Sequence, residues 1–218
     1  MNLQDGYGTI RGDEDAEVLE SPGCGKLSRL WRGEILAIML TGFDPNKVVH
    51  AGPMIRREDE YLSMPREMRI RIFRRMMIFV QKAKIKYKCF KLFKPYNSGD
   101  RAIHDTLLQE IVDFLISHRN DFNAYNLLKV YYDNGQTQVA SLLKEAFALY
   151  SAKVEFVADV QPAKYRLFQA ADVICTLELV KAKLLTSGTM SESESRFFGG
   201  IKNFKKNYLK ALTRKEYV

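Results

Sequence analysis

Leu127-Leu128-Lys129-Val130-Tyr131-Tyr132-Asp133-Asn134-Gly135-Gln136 is an apolar, aromatic-rich run that stops at a carboxylate and a turn signal. The run reads as a short buried strand. Asn134 and Gly135 tolerate positive φ, so the strand ends there. Asp133 then stands at the carboxyl end of a strand, just before a helix, where α/β sheets bind ligands.

Outward from this run, helices and strands alternate. Downstream, residues 137–150 carry Val139, Leu142, Leu143, Ala146 and Phe147 at helical spacing, and Val154–Ala158 reads as a strand. A helix then spans about Ala163 to Leu185, followed by a polar loop over 186–195. Upstream, a helix over 101–119 carries Ile103, Leu107, Ile111, Phe114 and Leu115. Ile85-Lys86-Tyr87-Lys88-Cys89-Phe90 alternates as a half-buried strand. Pro65 opens a helix with Met68, Ile72, Met76, Phe79, Val80 and Ala83 on its apolar stripe. Helices alternating with strands predict an α/β fold, with helices covering a sheet.

A second carboxylate, Asp172, lies in Phe168-Gln169-Ala170-Ala171-Asp172-Val173-Ile174-Cys175-Thr176. On a helix it shares a face with Phe168, Gln169, Cys175 and Thr176, with Leu179 two turns on. An ionised group on so apolar a face needs compensation. A divalent cation shared with Asp133 would supply it. The plainer alternatives stay open: Asp133 as a turn or cap residue, Asp172 as the partner of a Lys or Arg.

The chain has 218 residues, enough for one sizeable domain. Formal net charge is +8, which suits a polyanionic partner such as nucleic acid but is a weak pointer alone. Arg66, Arg69, Arg71, Arg74 and Arg75 crowd the outer faces of the Pro65 helix, where they either track phosphates or solubilise the surface. Cys24, Cys89 and Cys175 form no zinc spacing, and Cys89 and Cys175 read as buried thiols in a reducing cytoplasm. No apolar run approaches the roughly 20 residues of a membrane span, so no membrane partner is expected. Residues 1–46 read as irregular, apart from a weak amphipathic pattern over Lys26–Leu40, and 47–218 as the folded domain. His50, Arg56 and Arg57 fall in a Gly-Pro loop, where a guanidinium fork suits phosphate oxygens; an ordinary solvated loop fits equally well. Phe197, Phe198, Phe204 and Tyr208 interleave with lysines; they read as a tail helix docking its rings on the core, with nucleic-acid stacking as the alternative.

Several blocks together resemble the domain of unknown function 3800 family. They are His50-Ala51-Gly52-Pro53 with Ile55-Arg56-Arg57-Glu58, Ile85-Lys86-Tyr87-Lys88, Val130 to Gln136, Phe168 to Leu179, and Lys205-Lys206-Asn207-Tyr208-Leu209-Lys210. The resemblance covers about residues 47–212. It implies a ribonuclease-H-like mixed sheet flanked by helices, and a metal-dependent nuclease using Mg²⁺ or Mn²⁺. Asp133 and Asp172 match two of the family's acidic positions and would ligate metal. Gln136 or Gln169 would orient substrate, with His50, Arg56 and Arg57 toward phosphate. The family's opening strand and Asp-Glu-Ser-Gly-Asp motif have no counterpart here; Asp13-Glu14-Asp15 follows no apolar strand. The expectation is therefore a nuclease impaired at its N-terminal acid and lacking the first strands. The alternatives are a non-catalytic module binding nucleic acid or protein, or an incomplete gene product.

Overall fold

The computed structural model describes residues 2–4, 48–92, 100–132, 137–150, 153–157 and 166–217. The chain divides into two units, one from residues 1–9 and 89–161, the other from 10–88 and 162–218. Asp133, Gln136, the acidic cluster at 13–15 and the amphipathic pattern at 26–40 lie outside the described residues.

The first unit is built on the strand with which the reading began. β2 (Leu128–Tyr131) sits between β1 (Asn2–Gln4) and β3 (Val154–Val157). It runs antiparallel to β1 and parallel to β3, with Leu128 opposite Val154 and Tyr131 opposite Val157. The sheet is therefore mixed. Before β2 come α3 (Asp100–Ser117) and α4 (Arg119–Asn123); between β2 and β3 lies α5 (Thr137–Tyr150). A parallel pair needs a crossover, and α5 supplies it, which makes the α/β class a local fact of this unit. Leu128, Val130 and Tyr131 are buried, as are Leu142, Leu143, Ala146 and Phe147 of α5. Phe147 meets Phe156 edge-on at 6.1 Å. Val139, expected in the apolar stripe, is exposed instead.

The second unit is helical. α1 (Ala51–Arg56) leads through a 3₁₀ turn (Asp59–Tyr61) to α2 (Arg66–Lys82). The long α6 (Arg166–Ser187) follows in sequence, then α7 (Glu192–Phe198). The chain ends in α8 (Ile201–Phe204), a π-helical turn (Lys205–Leu209) and α9 (Lys210–Thr213). The tail rings dock on the core as expected. Phe73 of α2 meets Phe197, Phe198 and Tyr208 edge-on at 5.4, 5.8 and 5.7 Å. Such pairs contribute about 0.5–1.5 kcal/mol each beyond burial.

Four expectations change here. Residues 51–56 are helical, not an exposed loop: proline is tolerated in a first helical turn, and Ala51, Met54 and Ile55 are buried. The alternation at 85–90 survives as burial, but only Tyr87 finds a ladder, a single bridge to Glu216, so no strand propagates. Within the stretch read as a polar loop, α7 begins after a capping box formed by Ser191 and Glu194. Cys175 is exposed and Cys89 half-buried, so neither is a core thiol.

Candidate functional site

Asp172 projects from α6 onto the start of α1. Its Oδ2 accepts the Ala51 backbone N–H at 2.7 Å. Ala51 is the first residue of α1, so its amide has no partner within the helix. The preceding His50 supplies no side-chain cap, and Asp172 fills that role from a distant segment. His50 is fixed by its own backbone, whose N–H donates to the Tyr61 hydroxyl at 3.1 Å.

The electrostatics of Asp172 are unusual for a structural residue. Burial pushes its pKa up, against the lowering effects of the Ala51 amide and of the charge on His50. It forms no ion pair with a described Lys or Arg. The face around it is less apolar than expected, since Cys175 and Leu179 are exposed. Burial of Tyr61 likewise drives its phenol far above the ordinary range, so it stays neutral at any physiological pH.

The other residues singled out from the sequence part company. Gln169, one turn before Asp172, is 2% exposed, and its Nε2 has no hydrogen-bond partner. Such an orphan donor costs about 1–3 kcal/mol. Arg56 is exposed and committed to Glu58 at 2.8 Å. Arg57 is exposed, caps α1 in the left-handed conformation (φ 64°, ψ 54°), and donates from Nε to the Leu62 carbonyl at 2.8 Å. The rest of its guanidinium is open. The structure thus brings His50 and Asp172 together at one end of α1 and sets Arg56 and Arg57 at the other.

A Mg²⁺ or Mn²⁺ ion requires hard oxygen donors, and such ions are commonly held by one or two carboxylates plus waters and substrate phosphates. The Oδ1 atom of Asp172, which no described residue bonds, is such a donor. Among the described residues, no group of three or more His, Cys, Asp or Glu side chains gathers at one place.

One residue sequence reasoning missed is Arg69. Read as a surface cation, it is only 6% exposed and bonds the carbonyls of Met54 and Ile55 near the end of α1. Its place on the inner stripe, one turn before Ile72 and Phe73, was the available signal.

No protein-family model matches the chain, and no curated protein or solved structure matches it either. The resemblance to the domain of unknown function 3800 family remains an expectation from the sequence blocks.

Proposed function

We propose that this chain acts on nucleic-acid phosphodiesters as a metal-dependent hydrolase, with Asp172 as a metal ligand and a ribonuclease-H-like arrangement of its sheet. One observation carries the reading: a half-buried carboxylate is held by a backbone amide, with His50 acting on it by charge and, among the described residues, no Lys or Arg paired with it. A carboxylate that served only as a helix cap would gain the stronger Ala51 hydrogen bond on ionising, but burial outweighs that gain and raises its pKa. A divalent cation on Oδ1 would compensate the charge and, when bound, activate water and polarise phosphate. The protein's part is to fix the carboxylate through α1, to keep His50 beside it, and to present Arg57 to a phosphate oxygen. Asp133 is the second carboxylate of this reading. The mixed sheet with its crossover helix supports the ribonuclease-H-like assignment.

Hydrolysis of single- and double-stranded DNA and RNA, measured with Mg²⁺ or Mn²⁺ and again in EDTA, tests the proposal. Cleavage should require metal and fall about 100-fold or more in Asp172→Asn, because metal stabilisation of the transition state is worth several kcal/mol. Metal-dependent cleavage that survives this substitution overturns it.

A second reading, nucleic-acid binding without cleavage, is favoured by the row Lys202, Lys205, Lys206 and Lys210, all exposed along the C-terminal helices. Binding without cleavage by the wild-type chain would select it.

A further inference from the structure

Two arginines of the helical unit meet the carboxyl end of α1, and a third, Arg66, lies near enough to act on one of them by charge. Arg57 caps that end. Arg69, from α2, reaches it through Nη1, which bonds the Met54 and Ile55 carbonyls. Arg66 lies one turn before Arg69 on the same face of α2. Its Nε donates to the Arg196 carbonyl at 2.8 Å, and Nη2 reaches the same oxygen, which anchors it to α7.

Gathering like charges is unfavourable, and here the repulsion is direct. Arg69 has its pKa lowered first by burial, then by Arg57 and by Arg66; Glu67 acts weakly the other way. Glu58 pairs with Arg56 and Glu192 with Arg196. Glu67 is exposed and only 4.0 Å from Arg66 at best. The end of a helix is worth roughly half a negative charge, set against three full positive ones. A purely structural role for Arg69, closing the carbonyl end of α1 and laying its guanidinium over the Phe197 ring at 5.8 Å, explains Nη1 and the place of the side chain. It leaves Nε unexplained: this atom is buried and has no hydrogen-bond partner.

We propose that Arg57, Arg66 and Arg69 form an oxyanion site that takes a backbone phosphate of a nucleic-acid strand. Guanidinium forks suit phosphate oxygens, and among the described residues the exposed Arg57 commits only its Nε, to the Leu62 carbonyl. The anion site stands on its own geometry. The choice of a nucleic-acid phosphate as its occupant rests on the function proposed above.

The test uses the full-length chain in EDTA, so that absence of cleavage cannot be mistaken for absence of binding. Anisotropy of a fluorescein-labelled single-stranded DNA oligonucleotide is followed across a salt series. Arg57→Gln and Arg66→Gln should each weaken binding about fivefold at about 0.1 M salt and lower the log–log salt slope by about 0.7, the loss of one phosphate contact. Arg71→Gln removes the same charge from an exposed position of α2 outside the cluster, and should do markedly less. A parallel arm measures thermal unfolding with inorganic phosphate against chloride at matched ionic strength. Phosphate should raise the midpoint of the wild type but not of Arg57→Gln. Equal effects of all three substitutions, together with no phosphate shift, would overturn the site. A phosphate shift without oligonucleotide binding would overturn the nucleic-acid occupant.

Discussion

Two acids sit on the same helix, α6, and their surroundings are opposites. Glu178 is 1% exposed and fully engaged: its Oε1 accepts the Tyr87 hydroxyl at 2.7 Å and Lys181 Nζ at 3.1 Å, and Lys181 also reaches Glu216 at 3.3 Å. Asp172 is less buried yet, among the described residues, has one amide and no paired Lys or Arg. A buried charge that is matched by side chains serves the fold. One left unmatched by the fold is available to something else. The contrast assigns Glu178 to the fold and makes Asp172 the candidate for function.

The largest expected effect is catalytic. Asp172→Asn keeps an oxygen acceptor for the Ala51 amide while removing the charge. Metal-dependent cleavage should fall about 100-fold or more, with circular dichroism and unfolding midpoint at or above wild type. A variant that unfolds would show Asp172 to be structural after all, and the contrast with Glu178 would be gone.

Glu178 should behave in the reverse manner. Glu178→Ala strips the Tyr87 hydroxyl of its acceptor and Lys181 of a partner, at a cost of about 2–4 kcal/mol in denaturant unfolding. Cleavage per folded molecule should be unchanged. A loss of cleavage at intact stability would place Glu178 in the site.

Titration separates the acids further. The pKa of Asp172 is raised in the folded state, so the fold binds this proton more tightly than the unfolded chain does. Its ionisation therefore destabilises, and the wild type recovers stability as pH falls through the raised value. Asparagine does not titrate. Any stability advantage of Asp172→Asn should then be greatest near neutral pH and shrink on acidification. Glu194 has the opposite sign: burial raises its pKa, but Lys183 and the Ser191 capping box outweigh that and lower it overall. Its contribution is present at neutral pH and is lost as pH falls through the lowered value. Unfolding of wild type, Asp172→Asn and Glu194→Gln from pH 7 down to about 2.5 should show two differences moving in opposite directions, that of Glu194 only below the ordinary carboxylate value.

The parts that could be read from the chain were those governed by long periodic patterns. α2, α3, α5 and α6 and the strands β2 and β3 follow apolar spacings carried by many residues, and burial enforces them. The failures were local and each had a rival cause. At Tyr87 the alternation was real but a strand needs a partner along its length, and one bridge does not supply it. At Gly52-Pro53 a turn signal yielded to helix, because the missing proline N–H falls in the first turn, where no helical bond is lost. Ser191-x-x-Glu194 carried its capping signature openly within a polar stretch. For the site, the spacing on α6 singled out Asp172 as an acid in need of compensation. What the chain could not disclose was a partner more than a hundred residues away: the Ala51 amide depends on how α1 packs against α6.

The smallest expected effect asks whether the same rule extends to a cation. Arg57 holds the left-handed conformation, which costs a side-chain-bearing residue about 1–2 kcal/mol and glycine nothing. Glycine is the common choice at this position of a helix end. Arg57→Gly would relieve that strain and lose the hydrogen bond to the Leu62 carbonyl, worth about 0.5–1.5 kcal/mol. The two terms nearly cancel, so stability should stay within about 1 kcal/mol of wild type. Oligonucleotide affinity should nonetheless fall as it does in Arg57→Gln. If instead the glycine variant binds as tightly as wild type, the arginine is ornamental to binding and its strained backbone is merely tolerated. If it loses affinity at unchanged stability, the residue holds a costly conformation for the sake of its charge.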